Sequence, residues 1–249
     1  MSRSESIGLQ IKFEQDGFWY KKDCFGYQAL VEYWASMLAQ QSSLAKWGIV
    51  TYEPVLIDGE VYSKSKSFLK PGYTEITLNR LLCRYFHTDL KGLYDVARDK
   101  FFQEYRKFLL EAVEEITGLD IEEYLGTLFK FDYLILNDDR HYHNIGFLRA
   151  PDGSFKITPT FDFGAGLYSN IAEHPLDQPL GKLYACPLDT DFERQCALYK
   201  GRLIFNSRLV LVKDSILYDM YPKEIVERAK SVLTANFAKL YPEVKLIWD

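Results

Sequence analysis

Alternating hydrophobic and polar positions in the first 70 residues predict a small lobe in which strands surround one helix. Four runs have strand character and form two pairs: 7–13 with 18–22, and 49–57 with 61–68. The turns Asp16-Gly17 and Asp58-Gly59 join the members of each pair, which favours two β-hairpins. Between the hairpins, from Tyr27 to Leu38, hydrophobic residues recur at spacings of three and four, as in an amphipathic helix. The order strand–strand–helix–strand–strand indicates an α+β lobe.

After Pro71 the hydrophobic pattern becomes mainly helical. Helices are predicted at 101–116, from 121 to about 136, and in three later patterns, of which 222–240 is the clearest. Gly118 is expected to end the first of these helices, and Asp120 with Glu123 forms a D-x-x-E capping pattern before the second. The second helix is hydrophobic on most of its circumference and should therefore lie deep in the protein.

The chain length of 249 residues fits one large domain or two small ones. The change of pattern predicts a bilobal α+β protein with an N-lobe of about residues 1–70 and a C-lobe of about 71–249. The connection at 69–73 is the predicted hinge, so a cleft is expected between the two lobes.

Composition narrows the possible environments of the protein. The net charge of −5 argues against a broad surface for direct nucleic-acid binding. No hydrophobic run approaches the roughly 18 residues that a membrane span requires, and the first residues lack the hydrophobic core of a signal peptide. The four cysteines form no C-x-x-C pair. We therefore expect a cytoplasmic protein without membrane contact.

The most unusual segment is a polar octet, residues 137–144, between the buried helix and a predicted hairpin of residues 145–148 and 155–158. Asp139 and Asn144 within it have the spacing of Asp and Asn in the protein-kinase catalytic loop. A D-F-G sequence beginning at Asp162 follows the hairpin. Because oxygen ligands suit Mg²⁺, the order loop, hairpin and D-F-G predicts a site for Mg²⁺ and ATP.

The octet also carries a resemblance to a known family. Its pattern N-x-D-R-H-x-x-N resembles the catalytic loop of HipA-type kinases, the toxin kinases of bacterial toxin–antitoxin systems, and is similar to the D-R-H-x-x-N loop of phosphatidylinositol 3/4-kinases. The resemblance implies that Asp139 is the catalytic base and that Asn144 and Asp162 are the Mg²⁺ ligands. It also implies that Arg140 and His141 support the loop. It covers roughly residues 6–240 and implies a stand-alone kinase core without the extra N-terminal subdomain of HipA.

The N-lobe resembles the same family less sharply. Lys21 ends a strand before the helix that contains Glu32, the arrangement of the phosphate-binding lysine and its partner glutamate in kinases. Lys22 is the alternative, because side chains alternate along a strand and only one of the two lysines faces the cleft. No G-x-G-x-x-G loop is present, so a short segment containing Ser6 and Gly8 is the candidate phosphate loop.

The function expected from these features is Mg²⁺- and ATP-dependent phosphoryl transfer to a serine or threonine of a protein, with the chain itself as one candidate acceptor. The resemblance also implies a possible antitoxin-type DNA-binding partner protein. Three alternatives stay open at this point: a nucleotide-binding pseudokinase, a lipid kinase, and a metal-dependent phosphohydrolase. The hydrolase would use the acidic and histidine residues of the octet, Asp138, Asp139, His141 and His143, together with Asp162.

Overall fold

The computed structural model describes residues 11–87, 102–211 and 215–248 of the chain. Its N-terminal part is a four-stranded antiparallel sheet packed against one helix. The strands are β1 (Lys12–Gln15), β2 (Phe18–Lys22), β3 (Tyr52–Ile57) and β4 (Glu60–Lys66), in the order β1-β2-β4-β3. Both predicted hairpins are thus confirmed, and Asp16 and Asp58 adopt positive φ angles of 53° and 52° at their turns. The first strand begins at Lys12; residues 7–10 of the predicted run lie outside the described residues.

Helix α1 (Gln28–Gln40) lies between the two hairpins in the sequence and packs on strands β3 and β4. Ten of its 13 residues are buried, because the sheet covers one side of the helix and the C-terminal part of the chain covers another. A 3-10 helix (Ser43–Trp47) connects α1 to β3. Helix α1 also contains the buried residue Glu32. A glutamate is almost never fully buried unless it has a partner, so its burial points to more than packing.

The described residues in the middle of the chain form a second sheet and three helices. The sheet consists of β5 (Thr74–Thr77), β6 (Gly146–Arg149) and β7 (Phe155–Ile157), and the helices are α2 (Leu78–Tyr85), α3 (Phe102–Thr117) and α4 (Glu122–Ile135). The hairpin of β6 and β7 was predicted, whereas β5 and α2 were not. Strand β5 has only four residues and forms its hydrogen bonds with β6, about 70 positions later in the sequence. No local pattern therefore predicts it.

The C-terminal part contains α5 (Phe192–Leu198), β8 (Arg208–Leu211), α6 (Ser215–Met220), α7 (Lys223–Leu240) and β9 (Lys245–Trp248). The three predicted helical patterns are confirmed. Strands β8 and β9 form a parallel pair that the sequence did not predict. Each has four residues, and parallel pairing joins segments separated by a helical crossover, so this pair depends on tertiary packing.

The start of α4 differs from the predicted capping box. The helix begins at Glu122, and Asp120 Oδ1 accepts a hydrogen bond from its backbone N at 2.9 Å. Glu123 instead accepts a hydrogen bond from Lys46 on the 3-10 helix, with Nζ 2.7 Å from Oε1. Asp120 therefore satisfies one free N–H at the helix start, while the glutamate of the pattern makes a tertiary contact.

One hydrophobic cluster unites the two parts of the protein. Helix α4 lies at its centre, with ten of 14 residues buried, as its hydrophobic circumference predicted. The cluster also includes α1, the D-F-G phenylalanine Phe163 and helix α7. No helix among the described residues is long and hydrophobic enough to cross a membrane. The architecture is α+β, with a strand-rich N-terminal lobe and a mainly helical C-terminal lobe; the predicted boundary between residues 70 and 71 stays a prediction.

Candidate active site

Lys21, at the end of strand β2, points toward helix α1 and the D-F-G segment. Its Nζ lies 2.5 Å from Glu32 Oε1 and 2.7 Å from Asp162 Oδ1. Lys22 points to the other side of the sheet and pairs with Glu60, with Nζ 3.2 Å from Oε1. The alternation of side chains along β2 thus selects Lys21 as the lysine that meets the predicted site residues.

Glu32 is held from two sides in the interior, where only 1% of it is exposed. Lys21 approaches one carboxylate oxygen, and the hydroxyl of Ser63 donates a hydrogen bond to the other. Ser63 lies on β4 directly opposite Lys21 on β2, so the sheet register brings both groups to the same carboxylate. Sequence reasoning missed Ser63, because this pairing depends on which residues of the two strands face each other.

Asp162 follows strand β7 in a left-handed backbone conformation with φ of 62°. Its backbone N–H donates a hydrogen bond to the hydroxyl of Tyr52 on β3, at 3.0 Å. Left-handed backbone costs free energy in residues other than glycine, although Asp tolerates it better than most. Tyr52, which sequence reasoning also missed, therefore fixes the strained backbone of the candidate metal ligand Asp162 itself.

The rest of the D-F-G segment packs directly on α1 and α4. Phe163 is fully buried, and its ring packs against Phe131 of α4 with 5.5 Å between ring centroids. Gly164 lies so close to α1 that a Cβ atom there would come within 3.2 Å of Gln28 Cβ. A larger residue would press the segment away from α1, and this close approach explains a glycine at this position.

The electrostatics of this cluster follow from one cation between two carboxylates. Burial by itself would lower the pKa of Lys21, but Asp162 and Glu32 outweigh it and raise the pKa, so the ammonium group stays charged. Burial raises the pKa of Glu32. Asp162 behaves in the opposite way, since the charge and hydrogen bond of Lys21 overcome the effect of burial and lower its pKa. Asp162 is therefore an anion over the whole neutral range.

The polar octet forms a tight loop after α4. The backbone N–H of His141 and the side-chain amide Nδ2 of Asn144 both donate to the carbonyl oxygen of Asp139, at 2.9 and 3.1 Å. This contact uses the amide nitrogen of Asn144 and leaves Oδ1 with no hydrogen-bond partner in the part of the chain that the structure describes. The Asp139 side chain is 64% exposed and so is accessible from outside the protein.

Arg140 connects this loop to the D-F-G segment while being fully buried. Its Nη1 donates to the carbonyl oxygens of Asn144, at 3.3 Å, and of Phe161, at 2.5 Å. Its Nε lies 2.9 Å from Oδ2 of Asp132, a fully buried residue of α4. The octet and the residue before Asp162 thus share one guanidinium group, which brings Asn144 and Asp162 to the same region.

Asp132 is a residue of the site's framework that the sequence analysis missed. Besides Arg140, it accepts hydrogen bonds from the side chain of Asn137, at 2.9 Å, and from the backbone N of the same residue through its own carbonyl oxygen, at 2.8 Å. A carboxylate in a helix that is hydrophobic on most of its circumference, eight positions before an arginine, was the available signal. Burying such a pair is costly unless further hydrogen bonds complete it, as they do here.

His141 lies beside the candidate base, with Nε2 3.8 Å from Asp139 Oδ2. Burial raises the pKa of Asp139, His141 lowers it, and the nearby Asp162 raises it further, with a net rise. A carboxylate with a raised pKa is a better proton acceptor than an ordinary surface aspartate. The other ring nitrogen of His141, Nδ1, is buried and has no hydrogen-bond partner among the described residues.

Two predicted residues, Ser6 and Gly8, lie outside the described residues. The remaining predicted residues all lie in or next to one cluster. They are Lys21, Glu32, Asp139, Arg140, His141, Asn144 and Asp162.

The donor set suits Mg²⁺ rather than a softer metal. Asp162 offers a carboxylate that is ionised at neutral pH, and Asn144 offers an amide oxygen, and both are hard oxygen donors. The described residues contain no group of three or more His, Cys, Asp or Glu side chains that could hold a metal ion. The residues proposed for a dinuclear hydrolase site, which include His141 and His143, are therefore not gathered into such a group.

Comparison with known proteins identifies the fold. No protein-family model and no curated protein matches the chain. Among solved structures, the chain is similar to the proinflammatory kinase CtkA of Helicobacter pylori, with 17% identity, a TM-score of 0.54, and coverage of 92% of this chain and 90% of that one. It is also similar to HipA from a toxin–antitoxin system of Shewanella oneidensis MR-1, whose structure was solved in a complex with HipB and operator DNA. The identity is 11% and the TM-score is 0.52.

The second match covers 94% of this chain and 65% of that one, so this chain spans slightly less than two thirds of its length. The chain thus has the HipA-like kinase fold, as its catalytic-loop motif predicted.

Proposed function

We propose that the protein is a Mg²⁺- and ATP-dependent phosphotransferase that transfers the γ-phosphoryl group to a serine or threonine hydroxyl of a protein. The observation that carries the proposal is the meeting of Lys21, Glu32 and Asp162 within hydrogen-bond distance, beside the loop of Asp139 and Asn144. These residues come from four separate parts of the chain. A purely structural role gives no reason for a lysine, three carboxylates and an amide to converge there.

Contact with the nucleotide phosphates is assigned to the ammonium group of Lys21. Lys21 would contact the α- and β-phosphates, and Glu32 would hold the lysine in place. Glu32 is well suited to this role because it is buried and also bound by Ser63, so its carboxylate has little freedom to move. Asp162 and Asn144 would hold Mg²⁺, which when bound neutralises phosphate charge and orients the transferred group.

Asp139 is the proposed base for the hydroxyl of the acceptor serine or threonine. The oxygen of this hydroxyl would attack the γ-phosphorus. The bond between the γ-phosphorus and the β–γ bridging oxygen would break, and ADP would leave with that electron pair. The hydroxyl proton would pass to the carboxylate of Asp139. The exposure of this side chain and its raised pKa support that role. Arg140 would keep the base and the metal ligands in register, because it bonds to backbone carbonyls on both segments.

A protein acceptor agrees with the charge of the segment that follows D-F-G. Residues 165–191 contain Lys182 as their one basic residue, besides the histidine His174, and carry four acidic residues: Glu173, Asp177, Asp189 and Asp191. Anionic lipid headgroups are recruited by basic surfaces, so this segment is poorly suited to a lipid substrate. An antitoxin-type DNA-binding protein is the proposed partner, by similarity to the HipA structure solved with HipB.

The test is transfer of ³²P from labelled ATP, with the protein itself and a lysate of its source cells as acceptors. Wild type should label protein, and Asp139→Asn and Asp162→Asn should each reduce labelling by at least about 100-fold. Asp58→Asn is the matched control, because Asp58 lies in the left-handed turn between β3 and β4 and Asn accepts that conformation. Wild type that binds ATP but labels nothing would support the pseudokinase alternative. Label in extracted liposomes would support a lipid acceptor.

A further inference from the structure

The C-terminal part of the chain holds helix α1 at three points. Before its start, the hydroxyl of Tyr221 lies 2.5 Å from Asp23 Oδ2. In its middle, the ring of Trp34 packs edge-on against Trp248 of β9, with 4.8 Å between ring centroids. After its end, the side-chain amide of Gln41 exchanges two hydrogen bonds with the backbone of Val210 on β8, at 3.1 and 3.3 Å. Helix α1 is thus attached to a segment more than 150 positions away.

Asp23 is the most informative of these contacts because it also completes the start of α1. Its Oδ1 accepts a hydrogen bond from the backbone N of Ala29, the second residue of the helix, at 2.7 Å. The residue in the N-cap position, Tyr27, makes no side-chain cap. Free N–H groups at a helix start need such acceptors, and a carboxylate there is favoured by the helix dipole. One carboxylate therefore receives both a helix N–H and the hydroxyl of Tyr221.

This carboxylate lies close to the nucleotide-binding residues along the chain. Asp23 follows Lys21 by two positions, and Ala29 precedes Glu32 by three, which is about one helical turn. A change in the position of the first turn of α1 would therefore move Glu32 relative to Lys21. Tyr221 is only 5% exposed, so its hydroxyl is buried against Asp23 and depends on that hydrogen bond.

We propose that Tyr221 is a positioning residue for nucleotide binding: through Asp23 it fixes the start of α1 and thereby the Lys21–Glu32 pair. The proposal rests on the proposed function, since it assigns the pair to ATP. The C-terminal part of the same chain thus supplies the contact that keeps the glutamate-bearing helix in the position for binding.

Tyr221→Phe tests the proposal, because it removes one hydroxyl and keeps the ring. The dissociation constant of Mg–ATP, measured by titration calorimetry, should rise about fivefold to tenfold, as expected when one buried hydrogen bond is lost. Tyr218→Phe is the matched control, since the Tyr218 hydroxyl bonds to Glu227 at the surface of the same region. The control should leave the dissociation constant unchanged.

Hydrogen exchange provides a readout that does not depend on ATP. Peptides that cover residues 24–32 should exchange faster in Tyr221→Phe than in wild type and Tyr218→Phe, while peptides from α4 should not change. In a double-mutant cycle, Asp23→Asn and Tyr221→Phe should show less than additive effects on this exchange, because both remove the same contact.

The outcomes separate the two proposals. If wild type does not bind Mg–ATP, the proposed function fails, and the positioning role of Tyr221 in nucleotide binding fails with it. If wild type binds and Tyr221→Phe binds equally well, the positioning role is overturned while the proposed function stands. Unchanged exchange of residues 24–32 in Tyr221→Phe overturns the attachment of α1 itself, whatever the nucleotide result.

Discussion

Lys21 and Asp162 are 141 positions apart in the sequence, and the Nζ of the first lies 2.7 Å from Oδ1 of the second. This ion pair connects the N-terminal sheet to the D-F-G segment, and the same ammonium group also reaches Glu32 on α1. Since one cation serves two carboxylates, each of the three side chains depends on the other two. Binding of a metal ion at Asp162 and of phosphates at Lys21 would replace the contact between them.

Replacing Lys21 by methionine should weaken nucleotide binding strongly and should also weaken the fold. The change leaves Glu32 buried without its cation, and removal of one partner of a buried pair costs about 3 kcal/mol or more. We expect a loss of that size in the free energy of unfolding by urea, and a dissociation constant for Mg–ATP at least about 100-fold higher. Lys22→Met is the control, because that side chain pairs with Glu60 on the other face of β2. Equal effects of the two substitutions would contradict the assignment.

The residues that the sequence identified were those that carry a local motif. Asp139, Asn144 and Asp162 lie in two short patterns, and Lys21 and Glu32 follow a strand–helix order that is also local. Hairpins and long helices were predicted for the same reason, since their signals lie within ten to 20 neighbouring residues.

The residues that the sequence did not identify act through tertiary contacts. Tyr52, Ser63 and Tyr221 are ordinary polar residues of strands or helix ends until the fold brings them to Asp162, Glu32 and Asp23. Strands β5, β8 and β9 were missed on the same grounds, because strands of four residues are specified by their partners.

Replacing Asp132 by asparagine should destabilise the catalytic loop. The variant leaves the guanidinium of Arg140 buried without its carboxylate, a change of the kind that costs about 3 kcal/mol or more. We expect that loss in urea unfolding, and a fall in phosphoryl transfer even at temperatures where the variant is folded. Glu53→Gln is the control, because it removes a surface ion pair with Lys64, and exposed pairs contribute at most about 1 kcal/mol. A variant of Asp132 as stable and active as the control would disprove this role.

Replacing Tyr52 by phenylalanine should weaken metal binding more than it weakens the fold. The substitution removes the acceptor of the Asp162 N–H, so the left-handed peptide of Asp162 loses the contact that fixes it. The Mg²⁺ concentration for half-maximal phosphoryl transfer should rise by about fivefold, in line with the loss of one buried hydrogen bond. Tyr62→Phe is the control, since Tyr62 lies on neighbouring β4 and its ring packs against Phe13 instead. An unchanged Mg²⁺ dependence in Tyr52→Phe would argue against the role.

The contribution of Asp23 to the stability of the protein should fall as pH rises from about 4 to about 7. Burial raises the pKa of Asp23 from 3.8 to about 7, although the hydrogen bonds from Tyr221 and Ala29 act in the opposite direction. Between these two values the native state keeps a proton that the unfolded chain has released. The contribution of Asp23 to the free energy of unfolding therefore decreases with pH in this window and becomes constant above it. Asp138, whose pKa burial raises to about 6, acts with the same sign, so Asp23→Asn should reduce the slope rather than abolish it.

The measurement is urea unfolding of wild type and Asp23→Asn at pH 5 and pH 8. Wild type should lose stability relative to the variant between the two pH values, and parallel behaviour of the two proteins would show that Asp23 does not titrate in this range.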